Sequence, residues 1–313
     1  MINRRLIRIK VFKVLFSYMN SGNSSIDGAR KDLILSCEKT RDLYCLILNA
    51  LPAVRRLQEK LIEARMHKFN PTDEERNPNY RFVQNRFILM LEQNEDFNKF
   101  CNDKGLVWRG EEGGGDNVFI SRLSQSIASS GYYRDYMESP EDTLKKDCEL
   151  VANILLTEFE DNELFAHIIE EMSLFWIDDV GYVLGIGVKD VEAYPKSGKF
   201  AIPEVFTRPE DRNFALGLLQ NSFSRYNEYS DLISSNVDNW ESDRIVSTDL
   251  TLIVMGIAEA LTFPEIPVKV TINEYVDISK FYSTPNSRIF VNGLLDKIIR
   301  QKIDSGEIRK AKD

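Results

Sequence analysis

Histidine is nearly absent from the chain: only His67 and His167 occur, far apart. A zinc site or a histidine-based nucleophile system therefore has little to work with. The four cysteines, Cys37, Cys45, Cys101 and Cys148, form no CxxC pair and no Cys/His cluster. Cys37 and Cys45 fall about two turns apart on a predicted helix, beyond disulfide reach, so all four read as reduced, buried thiols. No apolar run attains the roughly 18 residues that a membrane helix requires. A secretory signal is missing too, because Arg8, Lys10 and Lys13 interrupt the opening segment; the expected localisation is cytoplasmic. Gly185-Ile186-Gly187 lacks the third glycine and the preceding strand of a dinucleotide site, and Gly113-Gly114-Gly115 lacks the Lys-Ser/Thr ending of a phosphate loop. The adjacent carboxylates Asp178-Asp179, Glu111-Glu112 and Glu170-Glu171 diverge on a helix and suit no acid–base pair. These absences leave no catalytic constellation, no cofactor and no metal site, and the expectation is that the chain is not an enzyme. Strand alternation is lacking as well, so the fold class is all-α.

What remains is 313 residues with 43% hydrophobic content, enough for a core and for one or two domains. The formal net charge is −9, yet residues 1 to 26 carry Arg4, Arg5, Arg8, Lys10 and Lys13 without one acid. A charge total says nothing about its distribution, and an acidic body with a basic end restricts where a polyanion can sit. Ile7, Val11, Val14, Leu15 and Tyr18 make an apolar stripe, so residues 3–20 read as an amphipathic helix. On it Arg4, Arg5 and Arg8 fall within about a quarter-turn of one another. A helical tract follows from 27 to 68, which Pro52 should kink or split. Further helices are expected over 80–100, 118–129, 140–158, 162–175, 178–194, 211–240 and 246–261, with loops at 21–25, 109–117 and 195–209. The last of these loops contains the only plausible extended piece. The 246–261 helix is apolar nearly all round, as a central buried helix would be.

The most specific stretch is Ile266–Ile298. Pro267 can open a helix, because its missing N–H has no intrahelical partner there. Ser283-Thr284-Pro285-Asn286 interrupts the apolar period, and Phe290, Val291, Leu294, Leu295 and Ile298 resume it. Lys269, Asn273-Glu274, Lys280 and Phe290-Val291-Asn292-Gly293 with Leu295-Asp296 together resemble the closing segment of the NusB transcription antitermination family. The opening helix, with Arg4, Arg5, Arg8, Val11, Leu15 and Phe16, is similar to that family's first helix. Phe214–Trp240 and Ile245–Leu261 resemble its middle and central helices. The resemblance implies a NusB-like helical bundle of two packed subbundles, formed by residues 1–22 plus 206–301. A helical region of unknown role, 23–205, is inserted after the first helix, and a charged tail closes the chain at 302–313. Thr40–Ala50 faintly echoes Arg212–Gln220, and Asp179–Gly187 echoes Asp249–Ile257, which leaves partial duplication open beside the blander reading of helices resembling helices. Val254, Ala258 and Asn286 depart from the family's frequent arginine, aromatic and acid.

The resemblance also implies a function: regulation of ribosomal RNA transcription by binding a boxA-type single-stranded RNA together with a NusE-like ribosomal protein in a transcription elongation complex, with no membrane. Arg4, Arg5 and Arg8 would supply forked donors for phosphate and flat faces for bases; the alternative is a solvated basic face. Tyr282, Arg288 and Phe290 match positions near the RNA-contacting turn, although Phe290 also fits an apolar core. Asp249 and Glu259 would face the protein partner, or Asp249 would simply favour the start of its helix. The competing function is a helical protein-interaction scaffold that has lost RNA binding.

Overall fold

The computed structural model describes residues 1–110, 117–237 and 245–309. The expected loop glycines Gly113-Gly114-Gly115, the pair Glu111-Glu112, Trp240 and the end of the charged tail lie outside them. Every regular element among the described residues is a helix, and the chain divides into two compact units: Met1 with Glu38–Val205, and Ile2–Cys37 with Phe206–Asp313. The first boundary differs from the expected one, since residues 23–37 pack with the unit built from the chain's two ends. The reason is α2 (Ile26–Met66), one unbroken helix that contributes to both units.

Pro52 lies inside α2 and does not split it. Proline removes one backbone hydrogen bond and crowds the preceding turn, but tertiary contacts hold the helix on both sides. Asn49 donates to the carbonyl of Leu106 at 2.7 Å, and Arg55 reaches Glu92 at 2.6 Å and the carbonyl of Val83 at 3.1 Å. Around this segment the larger unit assembles α3 (Asp73–Arg76), α4 (Arg86–Gln93), α5 (Glu95–Lys104), α6 (Val118–Ser129), α7 (Gly131–Glu138), α8 (Leu144–Thr157), α9 (Glu163–Met172) and α10 (Val180–Ser197). The helix expected over 80–100 is two, because Asn85 and Asn94 each turn a side-chain oxygen onto the backbone N–H groups of a new first turn. α7 was not expected; Ser130 caps it by the same chemistry. α10 runs through Pro195, so the expected loop starts later, and no strand forms there. One apolar core, from Leu43 and Cys45 on α2 to Val183 and Val191 on α10, fills this unit.

The other unit contains α1 (Arg4–Ser21), the start of α2, α11 (Pro209–Ser224), α12 (Tyr226–Ser235), α13 (Ser247–Thr262), α14 (Val268–Tyr282) and α15 (Ser287–Asp304). Asn3 caps α1 by accepting from the Leu6 N–H, and Gly22 ends it at φ 67°, a backbone region that costs glycine little. The single helix expected over 211–240 is broken at Arg225, whose φ of −112° and ψ of 17° leave the helical region. α13 is the axis: it packs against α1, α11, α12, α14 and α15, and its residues from Thr251 to Ala260 are all buried. Gly256 is what allows α14 and α15 so close. A Cβ there would meet Leu295 Cδ2 at 2.6 Å and Tyr275 Cδ2 at 3.3 Å.

Candidate functional site: a cleft between the first helix and the closing hairpin

The front of α1 and the start of α14 enclose a cleft of about 590 Å³, lined by Asn3, Arg4, Arg5, Arg8, Glu265, Ile266, Pro267, Val270 and Glu274. The two helices run in the same direction. Arg5, early on α1, reaches Glu274 and Asp277, while Phe12 and Lys13, further along, lie against Tyr282. The Phe12 and Tyr282 rings meet tilted by 54° with centroids 5.5 Å apart, and the Lys13 ammonium sits 5.6 Å from the Tyr282 ring. The arginine-rich start of α1 thus lies against the middle of α14, and the later turns of α1 lie against its end, next to the bend before α15.

The three arginines take three different places. Arg5 is the exposed one, and it is already clamped: its guanidinium donates to both oxygens of Glu274 at 3.0 Å and to Asp277 at 2.9 Å. The Glu274 hydrogen bond, helped by the charges of Glu274 and Asp277, outweighs partial desolvation and raises its pKa above the ordinary arginine value. The Asp277 carboxyl is held below the usual range, first by the Lys280 hydrogen bond and then by Arg5. Arg4 is half-buried, with its Nε 3.3 Å from Asp211 and its guanidinium 5.0 Å from the Phe214 ring centroid.

Arg8 is corrected. It is 3% exposed, and its Nε and Nη2 donate to the two oxygens of Glu259 at 2.7 and 2.8 Å. Burial works against the guanidinium charge, but the hydrogen bonds to Glu259 and its charge prevail, and the pKa rises. Glu259, expected to face a partner, is fully buried; it also accepts from Thr271 at 2.9 Å and from the Tyr275 hydroxyl at 3.0 Å. A carboxylate with four donors and a charge partner is a satisfied interior group, and it ties α1, α13 and α14 together behind the cleft. The sequence did carry a signal for this pair. Arg8 stands three, four and seven residues before the buried Val11, Phe12 and Leu15, and Glu259 is an acid inside the buried Thr251–Ala260 stretch of α13, where it is the one ionisable residue.

Asp249 is also withdrawn from the surface, 4% exposed, with one oxygen accepting from Ser287 Oγ at 2.7 Å. Ser283, Thr284 and Thr248 join this hydroxyl cluster under the α14–α15 turn. It supports the bend rather than presenting a charge to a partner. Arg288 is exposed and Phe290 half-buried on the first turns of α15.

A family profile described as NusB family matches residues 201–300. Among curated relatives, transcription antitermination protein NusB of Desulforapulum autotrophicum is 39% identical over 97 residues, which are 31% of this chain and 68% of that protein. The chain belongs to the NusB family. The NusB protein of Salinibacter ruber is 39% identical over 102 residues, 33% of this chain and 64% of that relative. That of Methylacidiphilum infernorum is 47% identical over 79 residues, 25% of this chain and 52% of the relative. The chain thus spans less than two thirds of the length of these two NusB proteins. No solved structure matches the chain. The NusB match falls wholly within the second half of the cleft-bearing unit plus the last residues before it, so the helices framing the bend are the family's own.

Proposed function

We infer that the cleft-bearing unit is the working part of a non-enzymatic transcription antitermination factor. It binds a boxA-type single-stranded RNA along the groove between α1 and α14, together with a NusE-like ribosomal protein, inside a transcription elongation complex in the cytoplasm. One observation carries the reading: Arg4 and Arg5 line an open cleft between α1 and α14, and further along the same two helices Lys13 lies 5.6 Å from the Tyr282 ring. Guanidinium groups take phosphate oxygens, and the face of an aromatic ring such as the half-buried Tyr282 offers a base a surface to stack on. Arg4, Arg5 and Arg288 are the phosphate contacts, with Tyr282 and Phe290 as the base contacts. Arg8 acts only by holding the helices. No helix among the described residues is long and apolar enough to cross a membrane.

Replacing Arg4 and Arg5 together by alanine should weaken binding of a boxA-type oligonucleotide about tenfold or more at fixed salt, with the melting temperature checked separately. Unchanged affinity in a folded double variant would sink the proposal. Two to four phosphate contacts to a single strand give a log–log salt slope of roughly −1.5 to −3.

The scaffold reading has one observation in its favour: the exposed Arg5 already has two carboxylate partners. Solvated ion pairs of this kind are weak, so RNA can displace them. Glu274→Gln with Asp277→Asn should therefore strengthen RNA binding severalfold; a chain that has lost RNA binding would show no signal with either variant.

A further inference from the structure

Between Lys146 and Lys189 the chain contains no lysine or arginine, while Glu160, Asp161, Glu163, Glu170, Glu171 and Asp178 within that stretch are exposed. In the same stretch lies an apolar strip that the fold leaves uncovered. Met172 is 45% exposed, Leu174 72%, Phe175 36% and Ile177 47%. These residues end α9 and form the turn before α10. Leu164 and Ile168 extend the strip backwards: with Met172 they recur every fourth residue, so they share one side of α9, and both remain half-buried. At ~100° per residue, Glu171 falls next to this stripe and Glu163 and Glu170 about a quarter-turn beyond it. Phe165 and Ile169 on the opposite edge go into the core.

The turn itself is anchored. Trp176 is 2% exposed, and its indole N–H donates to the carbonyl of Lys39 at 2.7 Å. Asp179, equally buried, accepts from Thr40 Oγ1 at 2.6 Å. Two backbone bonds shape the turn: Trp176 N to Ser173 O before the first anchor, and Asp179 N to Trp176 O between the two. Ile177 is thus held between two anchors on α2, and Leu174 and Phe175 between the end of α9, where Ser173 N donates to the Ile169 carbonyl at 2.8 Å, and the Trp176 anchor.

The geometry points to a docking site for a cationic amphipathic polypeptide helix of about two to three turns. Its apolar face lies on Leu164, Ile168, Met172, Leu174 and Ile177, and its lysines or arginines meet the acids alongside. An apolar stripe takes a helix by the i, i+3, i+4 pattern, and an exposed apolar patch on a folded unit marks an interaction surface. The exposed acids outnumber the Lys39 ammonium, which lies 5.7 Å from the Trp176 ring and pairs with Asp42 at 3.3 Å, and this acid excess selects a cationic partner. The same excess repels an anionic bilayer surface and a second copy presenting the same acids.

The test uses the full chain and a 14-residue amide-capped Leu/Lys peptide with leucines at helical spacing, read by anisotropy. Binding should weaken roughly ten- to hundredfold with Leu174→Ser plus Ile177→Ser. It should also fall with Glu170→Gln, Glu171→Gln and Asp178→Asn, and with rising salt. Because all five positions are exposed, the variants should melt with the wild type. The matching Leu/Glu peptide should not bind. Equal binding by the Leu174→Ser/Ile177→Ser chain, or by the Leu/Glu peptide, would overturn the inference. So would a dimer in sedimentation that these substitutions dissolve, or retention on phosphatidylserine vesicles that they abolish, since the strip would then belong to another occupant. None of these readouts involves RNA, so the outcome is independent of the proposal for the cleft.

Discussion

Arg8 and Glu259 show how a single pair sets what its neighbours can do. Removing two charges from water costs several kcal/mol each, and only close, fully hydrogen-bonded geometry offsets it. Here Glu259 has Arg8, Thr271 and Tyr275 around it. Arg8→Met would strand a buried carboxylate, so we expect a loss of about 3–5 kcal/mol in urea unfolding. Adding Glu259→Gln should return part of that loss, because an uncharged amide still accepts from Thr271 and Tyr275. A double variant no better than the single one would show that the charge pairing is not what matters. Tyr275 carries a second expectation. Burial, then the adjacent Glu259 charge, pushes its phenol well above the ordinary value. The unfolded chain, with tyrosine near 10, releases this proton first as pH rises. The stabilisation is therefore complete below pH ~10 and declines above it. Tyrosinate absorbance should show this phenol ionising only together with loss of helical circular dichroism, and Tyr275→Phe should flatten the alkaline decline.

Helices α13, α14 and α15 meet where Gly256 lacks a side chain. Gly256→Ala would improve helix propensity by about 1 kcal/mol yet drive a methyl group into Leu295 and Tyr275, both fully buried. Overpacking of that kind costs about 1–3 kcal/mol, so the net change in urea midpoint should be neutral to destabilising, and a clear gain would mean that the interface is looser than its distances imply. At this scale much of the fold was legible. α6, expected over 118–129, spans Val118–Ser129 because Asn117 marks its start, and the largely apolar α13 and the α14–turn–α15 hairpin follow directly from period and turn residues. The failures have physical reasons. The break at Arg225 has neither glycine nor proline to announce it, and the apolar period runs on across it. Pro52 announces a break that buried neighbours prevent. Of the site, the arginine run, the bend and their family were readable; that the third arginine points inward was hidden, since Glu259 is 251 residues away in sequence.

At the scale of the whole molecule, the four cysteines are distributed so that each unit reports on itself. All four are buried. Cys45, Cys101 and Cys148 belong to the single apolar core of the larger unit, whereas Cys37 belongs to the cleft-bearing unit. Reactivity needs thiolate and access together. Burial pushes the Cys148 thiol up to about 12, and the hydrogen bond with Cys101, followed by burial, raises Cys45 as well. The native chain should therefore resist a water-soluble disulfide reagent at neutral pH. Because one core encloses Cys45, Cys101 and Cys148, their modification in increasing urea should follow one common transition, as cooperative unfolding of a single core requires. Peptide mapping after pulsed alkylation separates these three from Cys37, whose curve measures the unit that carries the cleft. Staggered transitions among the three would mean that the larger unit is not one core but several, and that the residues packed around α2 do not unfold together.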